Sequence, residues 1–582
     1  MESETPKFNE LIGKVLEELT PSKVICKWSG ENPYCEGEFE ILEEDIKFLK
    51  MLKVPAPSFC PTCRRMRRLL HMNFIRLFKR KCEAPTHSEM MISIYPEECP
   101  FPVYDYQYFI GDVFDPFIFG EKYKEGTSGM EILLAQRKVF PMPSFLNRDP
   151  SSVNSDYSNG GRNVKNGYYV FACYTVEDAW YSDLVSRSRN VMDSHSVWDS
   201  ELIYTCVQVE HLYKCSFIYF SNNCTDSMFL FDCKNCDNCF GCVNLRGGKY
   251  VVYNKQYTKE EYEKFMQDVY PLSRTKLSEY KNKFWQLVKS MPINGSRNLT
   301  VTNILGANIR NTKNIYDANN VVNSENARHC DTLLSHHDSM DAMFSGGHSS
   351  FLYMTLNIGS QSSNVKFSVS SKFSIDCEFI FNSKNLNNCF MCFGLQNKSY
   401  CVLNVQYSKE EYFKIVDEIK SEMLRRGEYG DGLGFEFSAQ AYNFSGVQIS
   451  YPLEKNIVEK LGGYWAEEPE TNAGDTKVIK AQEVPETIEE VSDDAINTAI
   501  ECEVTGRPFR ITASELEFYR RRKLPLPTVQ PSVRMENNTR LIPYGIKYKT
   551  VCAKCKNDMY SLFDPEENYI LYCETCYQEE VY

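Results

Sequence analysis

One block of thirty residues occurs twice in this chain at a fixed distance. It runs from Cys233 to Tyr262 (CKNCDNCFGCVNLRGGKYVVYNKQYTKEEY) and returns without a gap from Ser383 to Tyr412 (SKNLNNCFMCFGLQNKSYCVLNVQYSKEEY), 150 residues later. Cys239 then aligns with Cys389, Cys242 with Cys392 and Gln256 with Gln406. A match of this length that ends in QY(T/S)KEEY marks a duplication, so the chain must carry two copies of one architecture.

From Asn163 onward the sequence breaks into short β-rich bursts (YYVFAC, AWYSDLV, ELIYTC, LYKCSFIYF, DSMFLFDC) separated by Asn, Asp or Ser, and the second half does the same (NIYDANNVV, SSFLYMTL, NVKFSVSS, IDCEFIF). The 37 Tyr and 36 Phe suit stacked strands better than helices. Regular short strands with polar corners predict a parallel β-helix, each coil burying its inward row on the next. A Greek-key sandwich needs hairpin turns, and from Asn163 onward Asn-Gly occurs only at Asn166-Gly167 and Asn294-Gly295. Cys206, Cys215, Cys224, Cys233 and Cys242 follow one another at nine-residue intervals, as an inward row of small apolar residues would. The three-residue spacing of Cys233, Cys236, Cys239 and Cys242 also fits an iron–sulfur cluster. The sister block has Ser383 and Leu386 at the first two positions, which favours a core row. Thr258 and Ser408 each precede a Glu by three residues, Glu261 and Glu411, so a capping box opens a helix after each half.

The chain therefore divides into an N-terminal zinc-binding module (1–110), a connecting segment (111–162), a first β-helix half (163–257), a helical cap (258–292), a second half (293–407), a second cap and return (408–465), an acidic linker (466–494) and a C-terminal zinc-ribbon module (495–582). The expected class is mainly β: a duplicated right-handed parallel β-helix with helical caps, flanked by two zinc-ribbon-like modules.

At the C-terminus, Cys552-Ala-Lys-Cys555 and Cys573-Glu-Thr-Cys576 have zinc-ribbon spacing, each pair giving two thiolates to one tetrahedral ion. At the N-terminus, Cys26 and Cys35 form a looser pair with Cys60-Pro-Thr-Cys63. Two structural zinc ions are expected. The CEVTGRPFRITASELEFYRRRKLPLP segment repeats the N-terminal plan from Cys502 onward, but Gln530 and Val533 stand where Cys60 and Cys63 stand. Conversely, the N-terminal copy of the ribbon half-site offers only Cys82, His87 and Cys99. Apolar residues at helical spacing from Phe8 to Leu19 predict an N-terminal docking helix.

After the CPTC knuckle comes a strip of eight cations, Arg64, Arg65, Arg67, Arg68, Arg76, Lys79, Arg80 and Lys81, with Phe74 and Phe78 interleaved. Such a strip can grip phosphates and stack bases, or it can be a solvated helix face. The net charge of −13 confines any nucleic-acid contact to a local patch of this kind. The polar, amphipathic start is unlike a signal peptide, and no apolar run reaches the roughly 18 residues of a membrane span. A cytoplasmic location is expected, with the 24 Cys as reduced thiols.

For catalysis, Asp183, Asp193, His195 and Asp199 fall on neighbouring expected coils, as do His329, His336, His337, Asp338 and His348. Corner residues bonding turns are the plainer reading of both groups. No P-loop, GxSxG, HExxH or dinucleotide fingerprint is present, and GDGLG (430–434) lacks a strand–turn–helix context.

The motifs VPAPSFCPTCRRMRR, KCEAPTHSEMMISIYPEECPFPVYDYQYF, CFGCVNLRGGKYVVYNKQYTKEEY and CEVTGRPFRITASELEFYRR together resemble a family of Cys-rich zinc-ribbon and β-solenoid proteins from bacteria of the candidate phyla radiation. The chain departs from that pattern at 26–29, at His87 and over 103–108, where the family has complete CxxC pairs. The resemblance implies zinc and a solenoid, and no activity. The expected function is a non-enzymatic zinc-binding scaffold that presents its modules to a macromolecule such as RNA, DNA or a ribonucleoprotein. The alternatives are a β-helix enzyme acting on carbohydrate and an iron–sulfur or redox protein using Cys233 to Cys242.

Overall fold

From residue 163 to residue 253 the backbone takes a left-handed φ at every third position, beginning Asn163, Asn166, Tyr169, Ala172 and ending Asn244, Gly247, Tyr250, Tyr253. Each such residue turns the chain, and the next one points inward: Val164, Val170, Cys173, Val176 and Ala179 are at most 2 % exposed. Four of these three-residue segments make twelve residues, and twelve is the register of the pairing. His195 pairs with Asp183 on one side and Val207 on the other, and Ser216 lies between Tyr204 and Met228, all in parallel. Asn and Asp tolerate the left-handed region best, because their short side chains hydrogen-bond locally. Here they also stack: Asn314 donates to Asn326 (2.9 Å) and Asn326 to Asp338 (3.0 Å).

In this computed structural model the described residues are 4–73, 75–469, 474–542 and 545–582, with the backbone alone at position 345. They are mainly β, and two long parallel ladders dominate them. The first runs from the strand Tyr157–Asn159 to Arg246–Val252, the second from Leu299–Val322 to Gln396–Val402. The second ladder lengthens the twelve-residue step to thirteen in two places, at Met340↔Tyr353 and Leu356↔Val369, and near its start Asn303 bonds Asn314 eleven residues on. These two extra residues explain a change of offset between the halves. Cys389 lies 150 residues after Cys239, whereas upstream of both insertions the equivalent positions are 148 apart, as for Asp341 and Asp193, both left-handed.

Inward serines keep a dry interior satisfied. Ser194 Oγ donates to the Met192 carbonyl (2.9 Å) and accepts from the Cys206 N–H one coil later (3.1 Å). A buried hydroxyl thus has two partners and the backbone loses none. The row Cys206, Cys215, Cys224, Cys233, Cys236, Cys239 and Cys242 shares one core with Val, Ile and Leu, each thiol at most 1 % exposed. Cys206 and Cys233 donate to carbonyls two residues back, each at 3.5 Å. Among the described residues these sulfurs form no group whose donors all lie within 4.8 Å of one another. They fill space along the interior rather than enclosing a cluster.

Helices close the last coil of each ladder. In Lys259–Val269, Thr258 Oγ1 accepts from the Glu261 N–H (3.2 Å) while Glu261 accepts from the Thr258 N–H (2.8 Å). Ser408 and Glu411 do the same at the head of Lys409–Arg425. Tyr262 and Tyr412 are buried one turn later against Tyr250 and Tyr400 of the final strands. Thr258→Ala and Ser408→Ala should each cost about 1 kcal/mol. Calorimetry reads this as a lowered unfolding midpoint, and an unchanged midpoint in both variants would mean that packing alone holds the helices.

The N-terminal helix Pro6–Glu17 buries Phe8, Ile12 and Leu16 on Lys409–Arg425, where Asp417 accepts from the Phe8 N–H at 2.8 Å. One expectation is corrected. Segment 466–494, read from its acidic composition as a loose linker, is a strap pressed onto the body over its described part; residues 470–473 lie outside the described residues. Ala481, Val484, Ile488 and Val491 are buried, Arg274 donates to the carbonyls of Ala481 (3.1 Å) and Pro485 (3.2 Å), and Val478–Lys480 pairs with Ala499–Glu501. Its acidic residues face water while its sparse apolar ones face inward.

Candidate metal centres and the buried arginine helix

The N-terminal centre is assembled from three pieces of chain. Strand Ser22–Ile25 delivers Cys26, the following loop delivers Cys35, and Cys60 and Cys63 sit at the head of helix Pro61–Leu69. The four sulfurs lie within 4.8 Å of one another, with Cys35 and Cys60 4.0 Å apart. A tetrahedral ion with metal–sulfur bonds of about 2.3 Å places its ligands roughly 3.8 Å apart. Amide donors surround the sulfurs: Cys60 N–H to Cys26 (3.3 Å), Gly37 N–H to Cys35 (3.3 Å), Cys63 N–H to Cys60 (3.4 Å) and Asn32 Nδ2 to Cys63 (3.3 Å). Such donors favour thiolate and orient ligands. The neighbouring Cys60 and Cys63 thiols bring Cys26 down to about 2.

The C-terminal centre follows the same rule. Cys552 and Cys555 flank the turn after strand Tyr548–Val551, and Cys573 and Cys576 open helix Glu574–Val581. Cys555 and Cys573 are 3.8 Å apart, and the Cys573 N–H reaches Cys552 at 3.3 Å. Burial resists ionisation of Cys552, but the backbone N–H groups of Cys573, Cys555 and Lys554 prevail and hold it near about 6. Either tetrathiol set can hold one metal ion. The worn half-sites do not. Cys82 accepts from the Asp105 N–H (3.2 Å), Cys99 donates to the Ala439 carbonyl (3.4 Å) and His87 faces Glu89 (3.4 Å), three separate engagements. Cys502 keeps the bond Cys26 makes, accepting from the N–H of Gln530 at 3.3 Å, although Gln530 replaces a ligand.

The basic strip is where the structure departs furthest from the sequence reading. Arg64, Arg65, Arg67 and Arg68 are 2–7 % exposed, so they face no phosphate. Their helix is pressed between the second ladder and the chain at 429–451. Arg64 Nε meets Asp341 Oδ2 at 2.7 Å, Arg68 Nη1 meets the other oxygen of Asp341 at 3.2 Å, and Arg65 Nε meets Asp331 at 2.7 Å. Burial opposes ionisation of Asp341, but Arg64 and Arg68 overcome it and hold the carboxyl below its usual range. Arg67 donates to the Leu433 carbonyl (3.0 Å) and stacks on Phe59 (4.1 Å). Arg80 donates to the Pro96 carbonyl (2.6 Å), Arg76 pairs with Glu536 (3.1 Å), and Lys79 and Lys81 remain exposed. Phe74 lies outside the described residues. A helix whose Met66 and Leu69 are buried cannot keep flanking arginines in water once both faces are covered.

The same lock recurs at the other end of the chain. In the register that places Gln530 at Cys60, Arg534 takes the place of Arg64, and it pairs with Asp193, the counterpart of Asp341, at 2.9 Å. Glu515 takes the place of Asp45: Tyr181 donates to Glu515 (3.0 Å), and Tyr181's counterpart His329 lies 3.4 Å from Asp45. The arginine-bearing helices are therefore docked crosswise, Pro61–Leu69 on the second ladder and Pro531–Arg540 on the first, while Lys547 of the C-terminal module also pairs with Asp317 of the second ladder (2.7 Å).

Most of the residues considered for catalysis are engaged, whereas His337 and His348 have no side-chain partner among the described residues. Asp183 binds His195 Nδ1 (2.8 Å), Asp193 is taken by Arg534, and Asp199 is held through both oxygens by Arg187 (2.7 and 2.6 Å). His329 bridges Asp317 (2.8 Å) and Asp45, His336 is buried, and Asp338 accepts from Asn326. Asp199, Glu210 and His211 bring donors within 4.8 Å of one another on the surface, but that group includes the Arg187 partner.

A second buried charge group sits beneath Lys409–Arg425. Glu378 accepts from Lys420 (2.8 Å), Lys366 (3.3 Å) and Tyr429 (2.8 Å). Burial opposes its ionisation, but Lys366 and Lys420 outweigh it and set the carboxyl at about 2. One carboxylate serves two ammonium groups, and burial pulls Lys420 down to about 8. The folded value of Glu378 lies below the unfolded one of about 4.3, so its contribution is complete above that pH and is lost as pH falls toward the folded value. Urea unfolding between pH 5 and pH 3 should show this loss in the natural chain and less of it in Glu378→Gln; equal slopes would remove Glu378 from the account.

Comparison with protein-family models finds no match, and comparison with characterised proteins finds none, so neither adds to the motif resemblance.

Proposed function

We propose that the chain is a non-enzymatic, zinc-braced scaffold: two right-handed parallel β-helices that carry a structural zinc module on each flank and offer the assembly to a macromolecular partner. The observation that carries this reading is the closure of both metal centres. With a zinc ion bound, four cysteines would complete a tetrahedral shell and would leave no position for a catalytic water. The twelve-residue register and the dry, satisfied interior support the coil architecture. The carboxylates a carbohydrate-active site needs are tied to Arg187, Arg534 and His195, which disfavours that alternative. Nucleic acid or a ribonucleoprotein remains the partner class proposed, through surfaces other than Arg64 to Arg68.

Elemental analysis of the purified chain should give two zinc per molecule and no iron. Iron with a brown colour would replace this reading by the redox one. Capture from native lysate, with and without nuclease, then classifies the partner: nuclease-sensitive capture means nucleic acid, nuclease-resistant capture means protein, and capture of nothing sinks the scaffold.

A further inference from the structure

Beneath the arginine helix lies a cavity of about 20 Å³, walled on one side by Arg64, Arg67, Arg68 and His71 and on the other by Met354 and Val369, with Asp431 also in its lining. The four polar side chains are 2–9 % exposed. Four of their nitrogens have no hydrogen-bond partner, Arg67 Nη1, Arg68 Nε, Arg68 Nη1 and His71 Nε2, the third of which is an ion-pair neighbour of Asp341 at 3.2 Å.

The charge on this wall does not balance. Arg64 and Arg68 share one carboxylate, Asp341. Arg67 hydrogen-bonds only to the carbonyls of Leu433 and Gly432 and stacks on Phe59. The carboxylate next nearest to it, Asp431, is already bound by Lys27 (2.8 Å) and by the Ser58 N–H (2.8 Å). The wall thus carries three guanidinium groups against two carboxylates, Asp341 and an Asp431 that is shared with Lys27. Arginine cannot relieve the excess by losing a proton, and an uncompensated buried charge costs several kcal/mol. Burial, with Arg137 and Arg67, pushes His71 down to about 3, so its imidazole adds a neutral N–H or lone pair rather than another charge.

We infer that this cavity is a buried binding site for a small monoatomic anion of the halide class, held by Arg67, Arg68 and His71. Size sets the class. Roughly 10–15 Å³ is needed to seat one water-sized body, so the space takes one such body and excludes phosphate or sulfate. Walls that mix N–H donors with Met and Val side chains suit a weakly hydrated halide. The anion supplies the charge that Asp341 cannot and completes the seat of the helix that also carries Cys60 and Cys63.

The test uses the full chain with bromide as the probe. Crystals grown in bromide and measured at its absorption edge should show an anomalous peak in this cavity beside Arg67 and Arg68; solvent density without an anomalous signal there overturns the proposal. In solution, chloride should raise the unfolding midpoint relative to gluconate at equal ionic strength. Val369→Met fills the space with apolar atoms and leaves every arginine in place, so it should abolish that difference. An equal midpoint in chloride and gluconate for the natural chain, or a difference that survives Val369→Met, counts against the site. If Val369→Met does not fold, the bromide measurement on the natural chain decides alone.

Discussion

Asp341→Ala should cost the fold about 3–5 kcal/mol, the usual range for removing one partner of a buried ion pair. Asp341 is fully buried and neutralises two guanidinium groups through its two oxygens, so the variant leaves both in a dry interface. Asp331→Ala strands only Arg65 and should cost less. Asp199→Ala removes the surface partner of Arg187 and should cost between about 0 and 1 kcal/mol. Urea unfolding of the three variants ranks them. If Asp341→Ala costs no more than Asp199→Ala, the arginine helix is not held by its charges. A combined Arg64→Met, Arg68→Met, Asp341→Leu variant should recover part of the loss, because apolar side chains of similar volume need no compensation.

Removing the N-terminal metal should be the more damaging of the two metal losses. Structural zinc supplies on the order of 10–16 kcal/mol of apparent binding energy to small zinc domains. Helix Pro61–Leu69 carries Cys60 and Cys63 at its head and the four buried arginines along its length, so its metal and its docking stand or fall together. Cys63→Ser should lower the metal content by one ion per chain and open the 43–81 region to limited proteolysis. Cys576→Ser should also lose one ion but leave that region protected, since Arg64, Arg65 and Arg68 stay seated on the second ladder. Two variants with identical cleavage patterns would show that metal binding and docking are independent.

The β-rich class and its repeating short strands were readable in the residues because they depend on local spacing. Polar corners, β-rich bursts and cysteines at intervals of nine all descend from a three-residue step with one inward position, and both tetracysteine sets announce themselves by spacing. What could not be read were contacts made across long stretches of chain. Arg64 and Asp341 are 277 residues apart and Arg65 and Asp331 266 apart, so composition showed a basic strip with no partner and made a surface patch the natural conclusion. A signal did exist. The two duplications, of the flanking module and of the ladder, put Arg534 in the place of Arg64 and Asp193 in the place of Asp341, so a charge pair repeated in both copies was open to discovery. The acidic strap misled for a related reason, because five buried apolar residues in a charged segment leave little trace in its composition.

The crosswise docking has a consequence for how the chain reaches its fold. As the protein is made from its N-terminus, the first ladder emerges well before the residues that cover it, which follow both ladders in the chain. The N-terminal module, made first, must in turn wait for the second ladder. Each half is completed by a segment from the far end of the chain, so the closing contacts are among the most distant in sequence. Such contacts carry a high loop-closure cost and slow folding. Until they form, Trp180, Tyr204 and the neighbouring apolar side chains of the first ladder that pack against Phe518 stay uncovered. A nascent chain of this topology is an early client for chaperones, and truncation at its C-terminus harms the half of the molecule that was finished first.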